Sequence, residues 1–102
     1  MFIIRAVNVY PGQIDHILSN IKGVGSEYQI HLNRKEDGKD YMTIKVERTE
    51  GGNPADDPAL ASTIEEEIKK QVLVSGKVEI LTYGALPRSE RKSRRVFDNR
   101  EV

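Results

Sequence analysis

Tyr28-Gln29-Ile30-His31-Leu32-Asn33, then Asp37-Gly38, then Met42-Thr43-Ile44-Lys45-Val46-Glu47 is the stretch that decides the fold. Tyr28, Ile30 and Leu32 alternate with polar residues, the period-2 pattern of a half-buried strand. Met42, Ile44 and Val46 alternate in the same way with Thr43, Lys45 and Glu47, giving a returning strand whose polar side includes Glu47. Asp-Gly between two such runs is a hairpin signal.

The flanks of this hairpin have a different period. Ile14, Ile17, Leu18 and Ile21 fall at i, i+3, i+4 and i+7, one face of a helix that Pro11 can open and that ends near Gly23. Leu60, Ile64, Ile68 and Val72 recur every four residues, a second helix with Glu65, Glu66, Lys69 and Lys70 in water. Between hairpin and second helix, Gly51-Gly52-Asn53-Pro54 and Asp56-Asp57-Pro58 form a loop, with Asp57 able to cap the helix and Pro58 to sit at its first position. Residues 2–9, rich in Ile and Val, read as a first strand stopped by Pro11. Gly76 breaks the chain, and Lys77–Tyr83 reads as a last strand. The predicted order is β-α-β-β-α-β. It describes an α+β, ferredoxin-like sandwich, two helices on one face of a mostly antiparallel sheet, as a single domain over residues 1–102. That scaffold hosts many functions and selects none.

Composition narrows the classes. Hydrophobic residues are 37% and charged residues 31%, a globular balance. Lys plus Arg and Asp plus Glu both number 16, which removes any whole-molecule electrostatic argument for nucleic acid or an acidic membrane. The strands also lack the paired aromatic platform that base stacking uses. With no cysteine there is no thiolate catalysis, disulfide or Cys-ligated metal, in keeping with a reducing, cytoplasmic setting. No apolar run approaches the roughly 20 residues of a membrane span. His16 and His31 are the only histidines and have no companions at metal-ligand spacing, so no metal site is predicted.

Two short segments could carry chemistry. Residues 88–100 hold Arg88, Arg91, Lys92, Arg94, Arg95 and Arg100 against Glu90 and Asp98, a local excess of four positive charges. That is either a solvated basic tail or a device for anion capture, since a lysine on a loop brings a mobile point charge to a phosphate. Arg5-Ala6-Val7-Asn8-Val9-Tyr10-Pro11-Gly12-Gln13-Ile14-Asp15 is, taken by itself, an edge strand running into a helix.

Together, and in this order, the two segments resemble the C-terminal domain of acyl-adenylate-forming CoA ligases, most closely those of the phenylacetate-CoA ligase type. Leu86-Pro87-Arg88-Ser89-Glu90-Arg91-Lys92 is similar to the closing motif of that superfamily, in which a Pro-Arg-Ser/Thr turn precedes a catalytic lysine. The resemblance implies that Lys92 contacts the carboxylate and α-phosphate during adenylation, and that Arg88 and Ser89 belong to the turn presenting it. The N-terminal segment is similar to Arg-Gly-x-Asn-Val-aromatic-Pro-x-Gln-Ile-Glu. It implies CoA-side positions at Arg5, Ala6, Val7 and Asn8, along the path of the pantetheine. The chain departs from the pattern at Arg91 and Ala6, where the family favours glycine.

The resemblance further implies a lid domain, contributing to an ATP-dependent acyl-CoA ligase whose large N-terminal adenylation domain lies outside these residues. ATP, CoA and an aryl-acetate would be its substrates, with Mg²⁺ accompanying ATP on the large domain. No nucleic-acid or membrane partner is expected. The alternative from another class is a stand-alone ferredoxin-like regulatory or ligand-binding module.

Overall fold

The structure, a computed structural model, describes residues 2–86 and 96–99. Residues 2–9 do not make the single strand expected. They form a hairpin of β1 (Phe2–Ile4) and β2 (Val7–Val9), with Phe2 opposite Val9 and Ile4 opposite Val7. The turn is Arg5-Ala6, both left-handed, with φ of 51° and 65°. Two-residue hairpin turns need this backbone, which Asn and Gly usually supply. An Arg-Ala turn carries no such signature, which is why a hairpin here reads as one continuous strand.

Beyond the hairpin the periodicities are realised. α1 (Pro11–Ser19) buries Ile14, Ile17 and Leu18 and opens on Pro11, as the spacing requires. It ends at Ser19, with Asn20 closing it, before the Gly23 expected. β3 (Val24–Arg34) and β4 (Asp40–Arg48) pair antiparallel across a turn in which Gly38 has φ 84° and the Asp37 carboxylate accepts from the Lys39 amide at 2.9 Å. A bulge separates Val24 from Tyr28, and Gly25 there lies against Arg48, where a Cβ would come within 2.7 Å of the backbone oxygen. A short 3-10 turn (Pro54–Asp56) leads into α2 (Asp57–Val72), which buries Ile64, Ile68 and Val72. Asp57 does not cap that helix. Its carboxylate pairs with Arg48 at 2.8 Å, and Asp56 stands at the N-cap position. Glu65 is not wholly in water either; its carboxylate accepts from the Val78 amide at 3.0 Å.

β5 (Gly76–Leu81) lies parallel to β4, and β6 (Val96–Asp98) parallel to β3, giving the sheet order β5-β4-β3-β6. The expected α+β sandwich is therefore present, with α1 and α2 on one face of a mixed sheet whose central pair is antiparallel. Tyr28, Ile30, Leu32, Met42, Ile44, Val46 and Val78 form one core with the buried helix residues, joined by Ile4 and Val9 from the hairpin. Burying such a side chain contributes roughly 1.5–3 kcal/mol. Tyr28 also ties α1 to the sheet, its hydroxyl donating to Asp15 at 3.1 Å. β6 falls in what sequence alone reads as a basic tail, its three residues flanked by arginines.

The left-handed turn at Ala6 makes a stability prediction. A non-glycine residue there costs roughly 1–2 kcal/mol in backbone energy, partly offset because glycine gains more freedom on unfolding. Ala6→Gly should leave the domain as stable or up to about 1 kcal/mol more stable in urea titration; a clear loss would contradict the turn geometry.

Candidate functional site

The backbone that precedes the basic segment is held by one buried carboxylate. After β5 the chain turns, the Ala85 amide donating to the Thr82 carbonyl at 3.0 Å, with Gly84 at φ 89°. Glu47, near the end of β4, has no solvent exposure. Its Oε1 accepts from the Gly84 amide at 3.0 Å and its Oε2 from the Leu86 amide at 2.7 Å. Strand alternation places Glu47 on the sheet face away from the helices and so predicts a wet side chain. The alternation is correct, but residues 84–86 cover that position and replace water with two amides. Hydrogen bonds to a charged group are worth about 1.5–3 kcal/mol each, and a buried carboxylate without them would be very costly.

Leu86 is buried, and Val96 lies opposite Ile30 on β3, with the Asn99 amide donating to the Leu32 carbonyl at 2.7 Å. Both flanks of the basic segment are thereby attached to the central strands. Arg88, Ser89 and Lys92 lie outside the described residues, as does Arg91.

The N-terminal candidates lie on the β1–β2 hairpin. Arg5 and Ala6 are the exposed turn, and the Arg5 Nε donates to the Asp40 carbonyl at 3.0 Å, docking the turn on the first residue of β4. Asp40 in turn accepts from Arg34 at 2.8 Å. A hollow of about 400 Å³ opens here between Arg5, Gly38, Lys39 and Asp40. Asn8 is exposed on β2, whereas Val7 is half-buried and packs against the core. The second half of the same motif has structural work instead. The Gln13 side chain accepts from the Tyr10 amide at 3.0 Å to close the start of α1, and Asp15 receives the Tyr28 hydroxyl.

The Arg5–Ala6 turn and the Gly84–Leu86 backbone meet β4 near its opposite ends. Asp40, beside Arg5, and Glu47, beneath Leu86, are seven residues apart on one strand, about 23 Å at roughly 3.3 Å per residue. A larger hollow, about 610 Å³ between α1 and α2, is lined by His16, Ile17, Ile21, Leu60 and Glu67 and includes none of the predicted residues. Glu47 itself was not singled out by sequence, because a glutamate closing an alternating strand has no pattern to mark it as buried. Among the described residues no three His, Asp or Glu side chains gather as a metal would need, and no helix is long and apolar enough to cross a membrane.

With this geometry in hand, the likeness to known proteins extends over the whole molecule. The profile of the AMP-binding enzyme C-terminal domain matches residues 6–100. The chain belongs to that family. Phenylacetate-coenzyme A ligase of Escherichia coli K12 is 33% identical over 105 residues, covering all of this chain and 24% of the relative. The Thermus thermophilus enzyme of the same name is 39% identical over 117 residues, covering 99% of this chain and 26% of the relative. The chain thus spans about a quarter of the length of these relatives. Among solved structures, a domain of the phenylacetate-coenzyme A ligase from Bacteroides vulgatus superposes with a TM-score of 0.88 at 36% identity, covering 100% of this chain and 94% of that one. A 2-hydroxyisobutyryl-CoA ligase in complex with 2-HIB-AMP and CoA, in its thioesterification state, superposes with a TM-score of 0.89 at 32% identity, covering 99% of this chain and 21% of that one.

On this AMP-binding enzyme C-terminal domain the sheet face opposite the helices carries His31, stacked on Phe97 with ring centroids 5.0 Å apart and 12° between planes. Its Nε2–H donates to Gln29 Oε1 at 3.0 Å. Burial lowers the His31 pKa, nearby Lys45 lowers it further, and Glu79 opposes both. The unfolded imidazole, with a pKa of about 6.5, therefore takes up protons before the folded one does. The contribution of His31 is fully present above that pH and is lost as pH falls through it. Urea midpoints measured at about pH 7.5 and 5.5 should drop more for the native domain than for His31→Gln; equal drops would show that His31 is not the group responsible.

Proposed function

We propose that this chain is the C-terminal lid domain of a phenylacetate-type CoA ligase. The observation that carries the reading is similarity to phenylacetate-CoA ligases along the entire chain. The reaction has two steps. An aryl-acetate carboxylate attacks the α-phosphate of ATP, giving an acyl-adenylate and pyrophosphate; the CoA thiol then displaces AMP to give the thioester.

In the first step the Lys92 ammonium contacts the carboxylate and the α-phosphate, where negative charge accumulates, and Arg88 and Ser89 belong to the turn that presents it. In the second step the hairpin carrying Arg5, Ala6, Val7 and Asn8 lines the pantetheine path, so that its turn and second strand orient the thiol. The separation of about 23 Å along β4 supports a division of labour. Each half-reaction takes its own placement of the domain, as gating domains commonly do.

The acid pocket and the rest of the nucleotide site belong to a large N-terminal domain of the same enzyme, the partner of this one. Mg²⁺ accompanying ATP belongs there too. The isolated domain is expected to be inactive, and the setting is the cytoplasm.

In a full-length ligase carrying this domain, Lys92→Ala should lower adenylation by about 10²–10³, read by pyrophosphate exchange, yet spare thioester formation from supplied acyl-adenylate. Equal loss of both half-reactions counts against the role given to Lys92. Ala6→Leu should do the reverse, slowing the CoA step more than adenylation; an unchanged CoA step removes the hairpin from the pantetheine path.

A further inference from the structure

We propose that Glu47 is a positioning residue for the adenylation step, an inference that rests on the ligase reading above and names the group that sets where its lysine segment leaves the domain. Three observations carry it. Glu47 is fully buried, yet it is a carboxylate. Both of its oxygens are engaged, by the Gly84 amide at 3.0 Å and the Leu86 amide at 2.7 Å. Leu86 also immediately precedes Pro87-Arg88-Ser89 in the sequence and stands six positions before Lys92.

Cover for that position does not require a charge. An apolar side chain of similar volume would avoid the desolvation cost and would pack at least as well. What an apolar side chain cannot do is fix the directions of two amides one residue apart. A carboxylate does so, because its two oxygens diverge in a fixed plane and accept charge-assisted hydrogen bonds roughly twice as strong as neutral ones. The carboxylate is mounted on β4, an inner strand hydrogen-bonded on both sides by β3 and β5. Glu47 therefore transmits the rigidity of the sheet to the backbone from which the lysine segment departs. Proline next in sequence limits the angles that segment can take. Glu47 never meets a substrate; it acts through Lys92.

The test uses the full-length ligase with Glu47→Gln, Lys92→Ala and the double variant, in single-turnover adenylation with enzyme in excess and in thioester formation from supplied acyl-adenylate. Glutamine keeps one acceptor but turns a donor toward the second amide. A misplacement near 1 Å can cost about 10²-fold, so Glu47→Gln should slow adenylation by about 10–10²-fold while leaving the thioester step unchanged. In the Lys92→Ala background the same substitution should have no further effect, because residues acting through one group are not additive. Losses that multiply in the double variant, equal loss of both half-reactions, or native adenylation would each overturn the proposal. Should Glu47→Gln not fold, Glu47→Asp, which keeps both oxygens but draws them back by one methylene, is judged by the same outcomes. If Lys92→Ala impairs adenylation and Glu47→Gln does not, only the Glu47 assignment falls; if Lys92→Ala is itself native, the ligase role of the lysine falls first and Glu47 with it.

Discussion

The β3–β4 pairing organises this domain. Tyr28 lies opposite Val46, Ile30 opposite Ile44 and Leu32 opposite Met42, so that three apolar pairs share one face. Gln29 opposite Lys45 and His31 opposite Thr43 make the other. A slip of one residue would exchange the faces completely, leaving α1 and α2 against polar side chains. Because the apolar face is the one both helices bury, the register is held by the same contacts that hold the helices. β5 and β6 then add to the free edges of an already determined pair, and the β1–β2 hairpin contributes Ile4 and Val9 to the same core.

One strand of that pair also links the two ends of the molecule that the family resemblance marks. At its start, Asp40 offers a backbone carbonyl to Arg5 and so fixes the hairpin turn; near its end, Glu47 grips the backbone before the basic segment. A strand pinned on both sides is a stiff spacer. Within the ligase reading, that stiffness lets the domain move as one body between the two steps. The buried charge at Glu47 is consistent with this view, because it gives direction to a backbone that apolar packing alone would only cover.

Much of this was legible in the chain. The 3.6-residue stripes of Ile14, Ile17, Leu18 and of Ile64, Ile68, Val72 identify the helices, and the period-2 runs identify the central strands, because burying one face leaves a repeat that can be counted. The paired signatures likewise point to the family without reference to coordinates. The failures have particular causes. Arg5-Ala6 adopts a left-handed turn without the residues that normally announce one, so a hairpin passes for a strand. Val96-Phe97-Asp98 is too short and too basic in its surroundings to show a period, and it becomes a strand because β3 presents a free edge. Asp57 is a plausible cap in isolation, but Arg48 reaches it first.

Local spacing, then, was sufficient for helices, central strands and kinship, since each depends on residues a few positions apart. The burial of Glu47 depends on Gly84 and Leu86, 37 and 39 positions away, and the docking of the Arg5 turn depends on Asp40, 35 positions away. Those are properties of non-local pairing. They arise when the folded sheet excludes water from a particular side chain, and no count along the chain contains them.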